Sequence, residues 1–207
     1  MSIAREGWPF VGSFLALAAL LAWRFPWAAA GLLLLGGFCA FFFRDPERGI
    51  PEGEALVLSP ADGKVVRVGP APDGAALAPG AQQISIFLSI FDVHVNRSPI
   101  SGRIERVEYH KGEFLPAWDD KASLRNEQNT VTVERSGQRV VFKQIAGLIA
   151  RRIVFRKRPG DDVARGERVG LIRFGSRVDV LLPAQARVLV KRGERVRGGS
   201  SVLAELP

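Results

Sequence analysis

Cysteine and histidine are scarce in this chain of 207 residues, and their scarcity excludes several kinds of site. Cys39 is the single cysteine, so neither a disulfide framework nor a cysteine-based metal site can form. With only His94 and His110, a metal site built from several histidines is excluded as well. The chain also lacks a phosphate-binding P-loop, the HExxH pattern and the CxxC pattern. We therefore expect no metal, and the chemistry has to come from other residues.

Acidic residues are the minority among the charged residues, with 21 Asp and Glu against 29 Lys and Arg and a net charge of +8. Residues 1–50 contribute only +1, from four arginines against three acidic residues, so the basic excess lies in the remainder. A basic surface suits an anionic partner, either nucleic acid or an acidic membrane face. Most Phe and Trp residues lie before residue 44, away from the basic residues. This separation favours a membrane and predicts no nucleic-acid partner.

Two runs without a charge, residues 8–23 and 27–43, dominate the N-terminal part. Their length is near the lower limit of roughly 17 residues for a helix that spans a bilayer. Trp8, Trp23 and Trp27 lie at their ends, where aromatic side chains meet lipid headgroups. A secretory signal peptide fits poorly, because there are two runs and no cleavage region with small residues.

We therefore predict that residues 1–44 form a hydrophobic helical hairpin that anchors the protein to the cell membrane, either spanning or re-entrant. A buried hairpin in a soluble protein stays as the alternative. A hairpin returns the chain to its starting side, and the positive-inside tendency then predicts that the following domain, residues 45–207, faces the cytoplasm.

The composition of residues 45–207 changes to short segments rich in Val and Ile, separated by DG, SG, PG and RG. This pattern predicts a mainly β domain. A faint repeat, residues 164–175 and 191–206, places a short strand after a Gly-Glu-Arg-Val turn and is typical of barrel-sandwich folds. One helix is predicted over residues 143–154.

A Gly-Ser pair, Gly175 and Ser176, interrupts the apolar segment LIRFGSRVDVLLP at residues 171–183. Glycine weakens a strand, and serine adds nothing to a core. The pair therefore marks either a bulge or tight bend, or a backbone position that itself reacts.

Three polar residues lie where strands are predicted to end: Asp62 in SPADGKV, His94 in FLSIFDVHVNRSP and Ser176 in RFGSRVDV. Taken singly, Asp62 fits an ordinary Asp-Gly turn and His94 fits an exposed or hydrogen-bonded histidine. Together, an acid, a base and a hydroxyl are the parts that activate a nucleophile. The sequence does not establish that they meet in space.

Several motifs, in consistent order, resemble the short bacterial form of phosphatidylserine decarboxylase. The matching stretches are PADGKV, FLSxxDVHVNRSP, RNEQN at residues 125–129, QIAGLIARRIV and RFGSRVDVLLP. The resemblance runs from about residue 42 to the C-terminus and extends loosely to the apolar hairpin. Because several motifs agree in order and spacing, the resemblance is specific.

The resemblance implies that the chain cuts itself between Gly175 and Ser176. Chains 1–175 and 176–207 would stay associated, and Ser176 would become a covalent pyruvoyl group, so that no external cofactor is needed. By the same resemblance, His94 is the base and Asp62 orients its ring. Longer family members often carry a second histidine at the position of Arg97, so whether His94 alone serves both reactions stays open.

The implied substrate is phosphatidylserine, whose amine forms a Schiff base with the pyruvoyl group before it loses its carboxylate to give phosphatidylethanolamine. The apolar hairpin would hold the site at the membrane. A basic run at residues 151–158 would attract the anionic lipid. Two alternatives stay open: a pyruvoyl decarboxylase of a soluble amino acid, and a membrane-tethered, non-enzymatic β-sandwich adaptor or carrier.

Overall fold

The chain divides into two compact units, Met1–Glu47 and Arg48–Pro207. The computed structural model describes residues 2–72, 76–116, 122–147, 152–173 and 176–207. Within these ranges the α-helices are Trp8–Leu21 (α1), Pro26–Phe42 (α2) and Ala122–Arg125 (α3), and Arg5–Gly7 forms a short 3-10 helix.

The N-terminal unit is a pair of helices, and a short sheet joins the segment before α1 to the segment after α2. Strand β1 (Ser2–Ile3) pairs antiparallel with β2 (Arg44–Asp45). Next to this pair, the amide of Ala4 donates to the carbonyl of Phe43 at 2.7 Å. Pro26 opens α2, where its fixed φ and missing N–H suit the first helical position. The predicted helical hairpin is therefore confirmed.

Large apolar side chains cover much of the outer surface of this hairpin. The exposed fraction reaches 96% for Trp23 and 90% for Trp27, at the turn between the helices. Helix α1 has 14 residues and α2 has 17. In the parts of the chain that the structure describes, no helix has both the length and the apolar character that crossing a bilayer requires.

The C-terminal unit is built almost entirely of β-strands, as the sequence predicts. Its strands are Leu56–Leu58 (β3), Gly63–Pro70 (β4), Gln82–Leu88 (β5), Val95–Arg97 (β6), Gly102–His110 (β7), Gln128–Arg135 (β8), Gln138–Ile145 (β9), Ile153–Phe155 (β10), Asp162–Val163 (β11), Arg168–Ile172 (β12), Ser176–Leu182 (β13), Arg187–Val188 (β14), Arg195–Val196 (β15) and Val202–Glu205 (β16).

The largest sheet is antiparallel, with the order β11-β7-β8-β9-β13-β5-β4-β15. Two smaller sheets, β10-β12-β6 and β14-β16-β3, complete the unit. One hydrophobic core joins the three sheets, because Phe142 and Val178 of the large sheet share it with Val169 and Leu203 of the small ones.

Strand β13 occupies the middle of the large sheet and is buried along its whole length. Its residues pair with β5 on one side and β9 on the other. Val178, Val180 and Leu182 point into the core, while the alternate residues Arg177 and Asp179 lie on the opposite face.

The helix predicted over residues 143–154 is wrong at both ends. Residues 143–145 belong to β9 and residues 153–155 form β10. The stretch between them includes residues 148–151, which lie outside the described residues. The β-branched residues near the two ends fit a pleated sheet better than a helix, and pairing with neighbouring strands decides the outcome.

Substitution of two leucines in the segment 176–207 tests how much this segment contributes to the stability of the core. Leu182 is fully buried and Leu189 is 41% exposed. In a Ser176→Ala background, which should keep the chain intact, Leu182→Ala should lower the free energy of unfolding by about 2–5 kcal/mol. Leu189→Ala should cost less than about 1 kcal/mol. Urea unfolding followed by circular dichroism measures both, and equal losses would contradict the core assignment.

Candidate active site

The inner face of the large sheet becomes polar at the end where β13 begins. Residues directly opposite each other in an antiparallel sheet share a face. Gln144 lies opposite Val178, and Asn129 lies opposite Gln144. Ser176, two residues before Val178, is on the same face. Further along this face the side chains are apolar, namely Ile84, Val131, Phe142, Val180 and Leu182. The polar group therefore marks one end of the core.

Ser176 is the first residue of β13 and is fully buried. It lies opposite Leu88, the last residue of β5. Its Oγ has no hydrogen-bond partner among the described residues. A buried hydroxyl normally has a partner, and leaving it without one costs about 1–3 kcal/mol. An unpaired hydroxyl at this position is therefore a candidate reactive group.

His94 lies in the connection between β5 and β6 and is 2% exposed. Its Nδ1 is 3.0 Å from the backbone carbonyl oxygen of Asp92. A carbonyl only accepts, so Nδ1 carries the hydrogen in this bond. In the neutral ring, Nε2 is then the nitrogen with the lone pair, and it is the one able to act as a base.

The strand connections bring Ser176 and His94 to the same end of the core. Ser176 follows β12 by four residues, and the last residue of β12, Ile172, donates its amide to the carbonyl of His94 at 3.3 Å. Leu88, opposite Ser176, opens the connection that carries His94. Gly175, the other half of the predicted cleavage site, lies outside the described residues.

Asp62 lies in the connection between β3 and β4, where its carboxylate accepts two hydrogen bonds. The donors are Nη2 of Arg48 and the backbone amide of Gly198, each at 2.7 Å. Burial raises the pKa of Asp62, and the nearby Asp92 adds to this, while Gly198 and Arg48 oppose it.

The predicted role of Asp62 is to orient the ring of His94. In this structure Nδ1 of the ring bonds to the carbonyl of Asp92, and the Asp62 carboxylate accepts from Arg48 and Gly198. Asp92 lies close enough to Asp62 for its charge to affect that carboxyl group. The pairing of Asp62 with His94 therefore stays a prediction.

Three buried amides at this end of the core were not predicted from the sequence. Nε2 of Gln144 donates to Oδ1 of Asn96 at 2.9 Å, and Nδ2 of Asn129 donates to Oε1 of Gln144 at 3.0 Å. Because Asn96 belongs to β6, this chain of amides connects the large sheet to the sheet β10-β12-β6. The available signal is the alternation of polar residues in DVHVN, which puts His94 and Asn96 on one face.

A second buried polar cluster lies on the opposite face of β13. Nε of Arg177 pairs with Oδ1 of Asp179 at 2.7 Å, and both side chains are about 1% exposed. Three residues from before the predicted cleavage site complete it: Ser85 accepts from Arg177, while Gln83 and Ser123 donate to Asp179. The cluster therefore joins residues on both sides of that site. Among the residues described, no group of three or more His, Cys, Asp or Glu is arranged to hold a metal.

The basic run at residues 151–158 lies next to β12 and near the same end of the core. The backbone amide of Arg173, which directly follows β12, donates a hydrogen bond to the backbone carbonyl of Arg152 at 3.2 Å. The side chains of Arg152, Arg156 and Arg158 are exposed, whereas Lys157 pairs with Glu167 at 2.6 Å. Arg151 lies outside the described residues.

The protein is mainly β, and its candidate site consists of a buried serine at the start of a central strand and a buried histidine at the same end of the core. A sequence profile of the family described as phosphatidylserine decarboxylase matches residues 35–204. The chain belongs to the phosphatidylserine decarboxylase family.

Related proteins carry the name phosphatidylserine decarboxylase proenzyme. The one from Solibacter usitatus is 54% identical over 205 residues, covering 99% of this chain and 97% of that protein. The one from Symbiobacterium thermophilum is 49% identical over 209 residues, covering 99% and 96%. The one from Beijerinckia indica is 46% identical over 208 residues, covering 98% and 89%. The similarity therefore extends over both units.

The raised pKa of Asp62 predicts a pH dependence of stability. Because Asp62 binds its proton more tightly in the folded protein, this proton stabilises the folded state at low pH. The stabilisation is lost as the pH rises from 3.8, the ordinary pKa of an aspartate, through the raised pKa of Asp62. Asp62→Asn removes the titration. Both proteins carry Ser176→Ala. The free energy of unfolding of the chain with Asp62→Asn, compared with that of the chain with Asp62, should therefore increase as the pH rises above about 4. Urea unfolding at several pH values measures this, and a constant or falling difference would refute it.

Proposed function

We infer that this chain decarboxylates phosphatidylserine to phosphatidylethanolamine, and we propose that it first cleaves itself between Gly175 and Ser176. The observation that carries the proposal is Ser176, a fully buried serine whose hydroxyl has no partner among the described residues. It stands at the Gly-Ser pair where the family resemblance expects cleavage. The proenzyme names of the relatives support a precursor that is processed.

The cleavage begins with attack of the Ser176 hydroxyl on the carbonyl carbon of the preceding peptide group. The C–O bond forms, the C–N bond breaks, and the chain is joined through an ester. Loss of the α-proton of Ser176 then expels the carboxylate of residue 175 and leaves dehydroalanine. Its imine form takes up water and releases ammonia, which leaves a pyruvoyl group at the start of β13.

His94 is the proposed base for the first step, because a serine hydroxyl is a weak nucleophile until its proton is removed. Its Nδ1–H is bonded to the Asp92 carbonyl, so in the neutral ring the lone pair is on Nε2. Asp62, which is close to Asp92, is proposed to assist the histidine. General-base assistance of this kind is worth about 10²- to 10⁴-fold in rate.

The surroundings of Ser176 suit a pyruvoyl group, since the residue is buried at the polar end of an otherwise apolar face. Such a group supplies a ketone that bonds to the amine of the lipid headgroup and withdraws electrons as the carboxylate leaves. The two product chains are proposed to stay together, because β13 is hydrogen-bonded to β5 and β9 of the larger chain.

Membrane association of the N-terminal unit is also part of the proposal. Its support is the exposed apolar surface of the hairpin, which includes Trp8, Leu20, Trp23, Trp27 and Leu34. Exposed arginines of the run at residues 151–158 suit an anionic lipid surface. Cytoplasmic orientation of the C-terminal unit stays a prediction.

Cleavage is tested with the purified chain on a denaturing gel and by intact mass. The 22.6 kDa chain should give fragments of about 19 kDa (1–175) and about 3.5 kDa (176–207), and the smaller one should begin with a ketone. Reduction with cyanoborohydride in the presence of phosphatidylserine should attach the lipid to that fragment. Ser176→Ala should stay intact and inactive, because it has no hydroxyl.

His94→Ala should slow cleavage by about 10²-fold or more, whereas His110→Ala is the matched control and should cleave like the parent. Normal processing of His94→Ala would remove His94 from the role of base. A parent chain that decarboxylates the lipid while uncleaved would refute the pyruvoyl mechanism. A processed chain that acts on free serine and not on the lipid would point to a decarboxylase of a soluble amino acid.

Membrane association is tested by sedimentation with vesicles of phosphatidylcholine and phosphatidylserine. Replacing both Trp23 and Trp27 with Ser should weaken binding by more than about tenfold, because burying a large apolar side chain is worth about 1.5–3 kcal/mol. Tyr109→Ser, which removes an exposed aromatic residue of the C-terminal unit, is the control and should bind like the parent. Equal binding of all three proteins would refute the role of the hairpin.

A further inference from the structure

We propose that Asn96 is a catalytic residue of the self-cleavage reaction. Its side-chain N–H would donate a hydrogen bond to the oxygen that becomes negative when Ser176 attacks the preceding carbonyl group. The inference rests on the proposed function, since it assigns a further role within the same site.

The direction of the hydrogen bonds along the chain of three amides determines which end of Asn96 is unpaired in this structure. Asn129 donates through Nδ2 to Oε1 of Gln144, so Gln144 has its own NH₂ group at the other end. That group donates to Oδ1 of Asn96. Reversing the Gln144 amide alone would set donor against donor and acceptor against acceptor. The network therefore occupies the oxygen of Asn96 and leaves its nitrogen.

Nδ2 of Asn96 is buried and has no hydrogen-bond partner among the described residues. Asn96 is fully buried, as is Gln144, and Asn129 is 3% exposed. Buried amide donors nearly always have an acceptor in a native protein. A donor kept in place by two further amides, yet without its own acceptor, is therefore suited to an acceptor that forms during a reaction.

The unpaired donor and the unpaired hydroxyl lie at the same end of the core. Gln144, which holds Asn96, is opposite Val178 and therefore diagonal to Ser176 on the same face. Diagonal neighbours in a sheet are about 7–8 Å apart. Asn96 also follows His94, the proposed base, by two residues. A donor and the proposed base thus lie at the end of the core where β13 begins.

The first step of cleavage creates the acceptor that Asn96 lacks. The Ser176 hydroxyl gives its proton to His94 and forms a bond to the carbonyl carbon, and the electrons of the C=O double bond move onto the oxygen. This oxygen, now negative, accepts a hydrogen bond from the side-chain N–H of Asn96. When the double bond reforms, the C–N bond breaks and the amine of Ser176 takes the proton from His94. A fixed donor to such an oxygen is typically worth about 10²- to 10³-fold in rate.

The test is the rate of self-cleavage after cell-free synthesis, which needs no lipid. Asn96→Asp keeps an oxygen for Gln144 but loses the N–H, and Asn96→Ala loses both. Both should cleave about 100-fold or more slowly. Gln82→Ala is the matched control, because Gln82 donates two hydrogen bonds to Ala184 and Ala186 at the far end of β5. It should cleave at the parent rate.

Rates are compared only for chains with parent-like thermal unfolding. Cleavage of a folded Asn96 variant within threefold of the parent overturns the proposal. If neither Asn96 variant folds, Gln144→Met decides, since it leaves the Asn96 amide without its fixed orientation. About tenfold slower cleavage supports the proposal, and a rate within threefold of the parent rejects it. A parent that never cleaves, or a Ser176→Ala chain that does, refutes the proposed function instead.

Discussion

The pairing of β13 with both β5 and β9 is the constraint on which the rest of the C-terminal unit depends. It places a strand from the last part of the chain in the middle of the largest sheet, with one face in the core and the other against the Arg177–Asp179 cluster. Ser176 is the first residue of that strand and pairs with Leu88 of β5, while the next residue, Arg177, pairs with both β5 and β9. A reactive group at the start of a fully paired strand needs no loop to hold it.

The polar end of the core explains how an apolar interior can contain a reaction. Ser176, Gln144 and Asn129 replace the apolar residues that fill the remainder of that face, and Asn96 and His94 approach from β6 and the connection before it. Hydrogen bonds between the amides keep these groups buried at little cost, because most of their donors and acceptors are satisfied. Oγ of Ser176 and Nδ2 of Asn96, which have no hydrogen-bond partner among the described residues, belong to the groups to which the proposals assign chemistry.

Much of the fold could be predicted from the sequence. The charge-free runs predict the helices α1 and α2, and the Val- and Ile-rich segments with their turn residues predict a mainly β unit. The helix expected over residues 143–154 fails, because pairing between distant strands outweighs a local apolar pattern. The motifs predict Ser176 and His94 as site residues, but they do not predict the hydrogen-bonded chain Asn96–Gln144–Asn129. Its members come from three strands, and only tertiary pairing brings them together.

The segment 176–207 does more than carry Ser176. It contributes β13 at the centre of the large sheet, β15 at an edge of that sheet, and β14 and β16 of a small sheet. β13, β15 and β16 each pair with strands of the preceding part of the chain. Under the proposed mechanism, scission therefore acts as a checkpoint for assembly. A chain whose last segment has not paired with its partner strands has no assembled site, so it is not cleaved. Each cleaved, active molecule is therefore one in which the segment 176–207 has taken its place in the sheets.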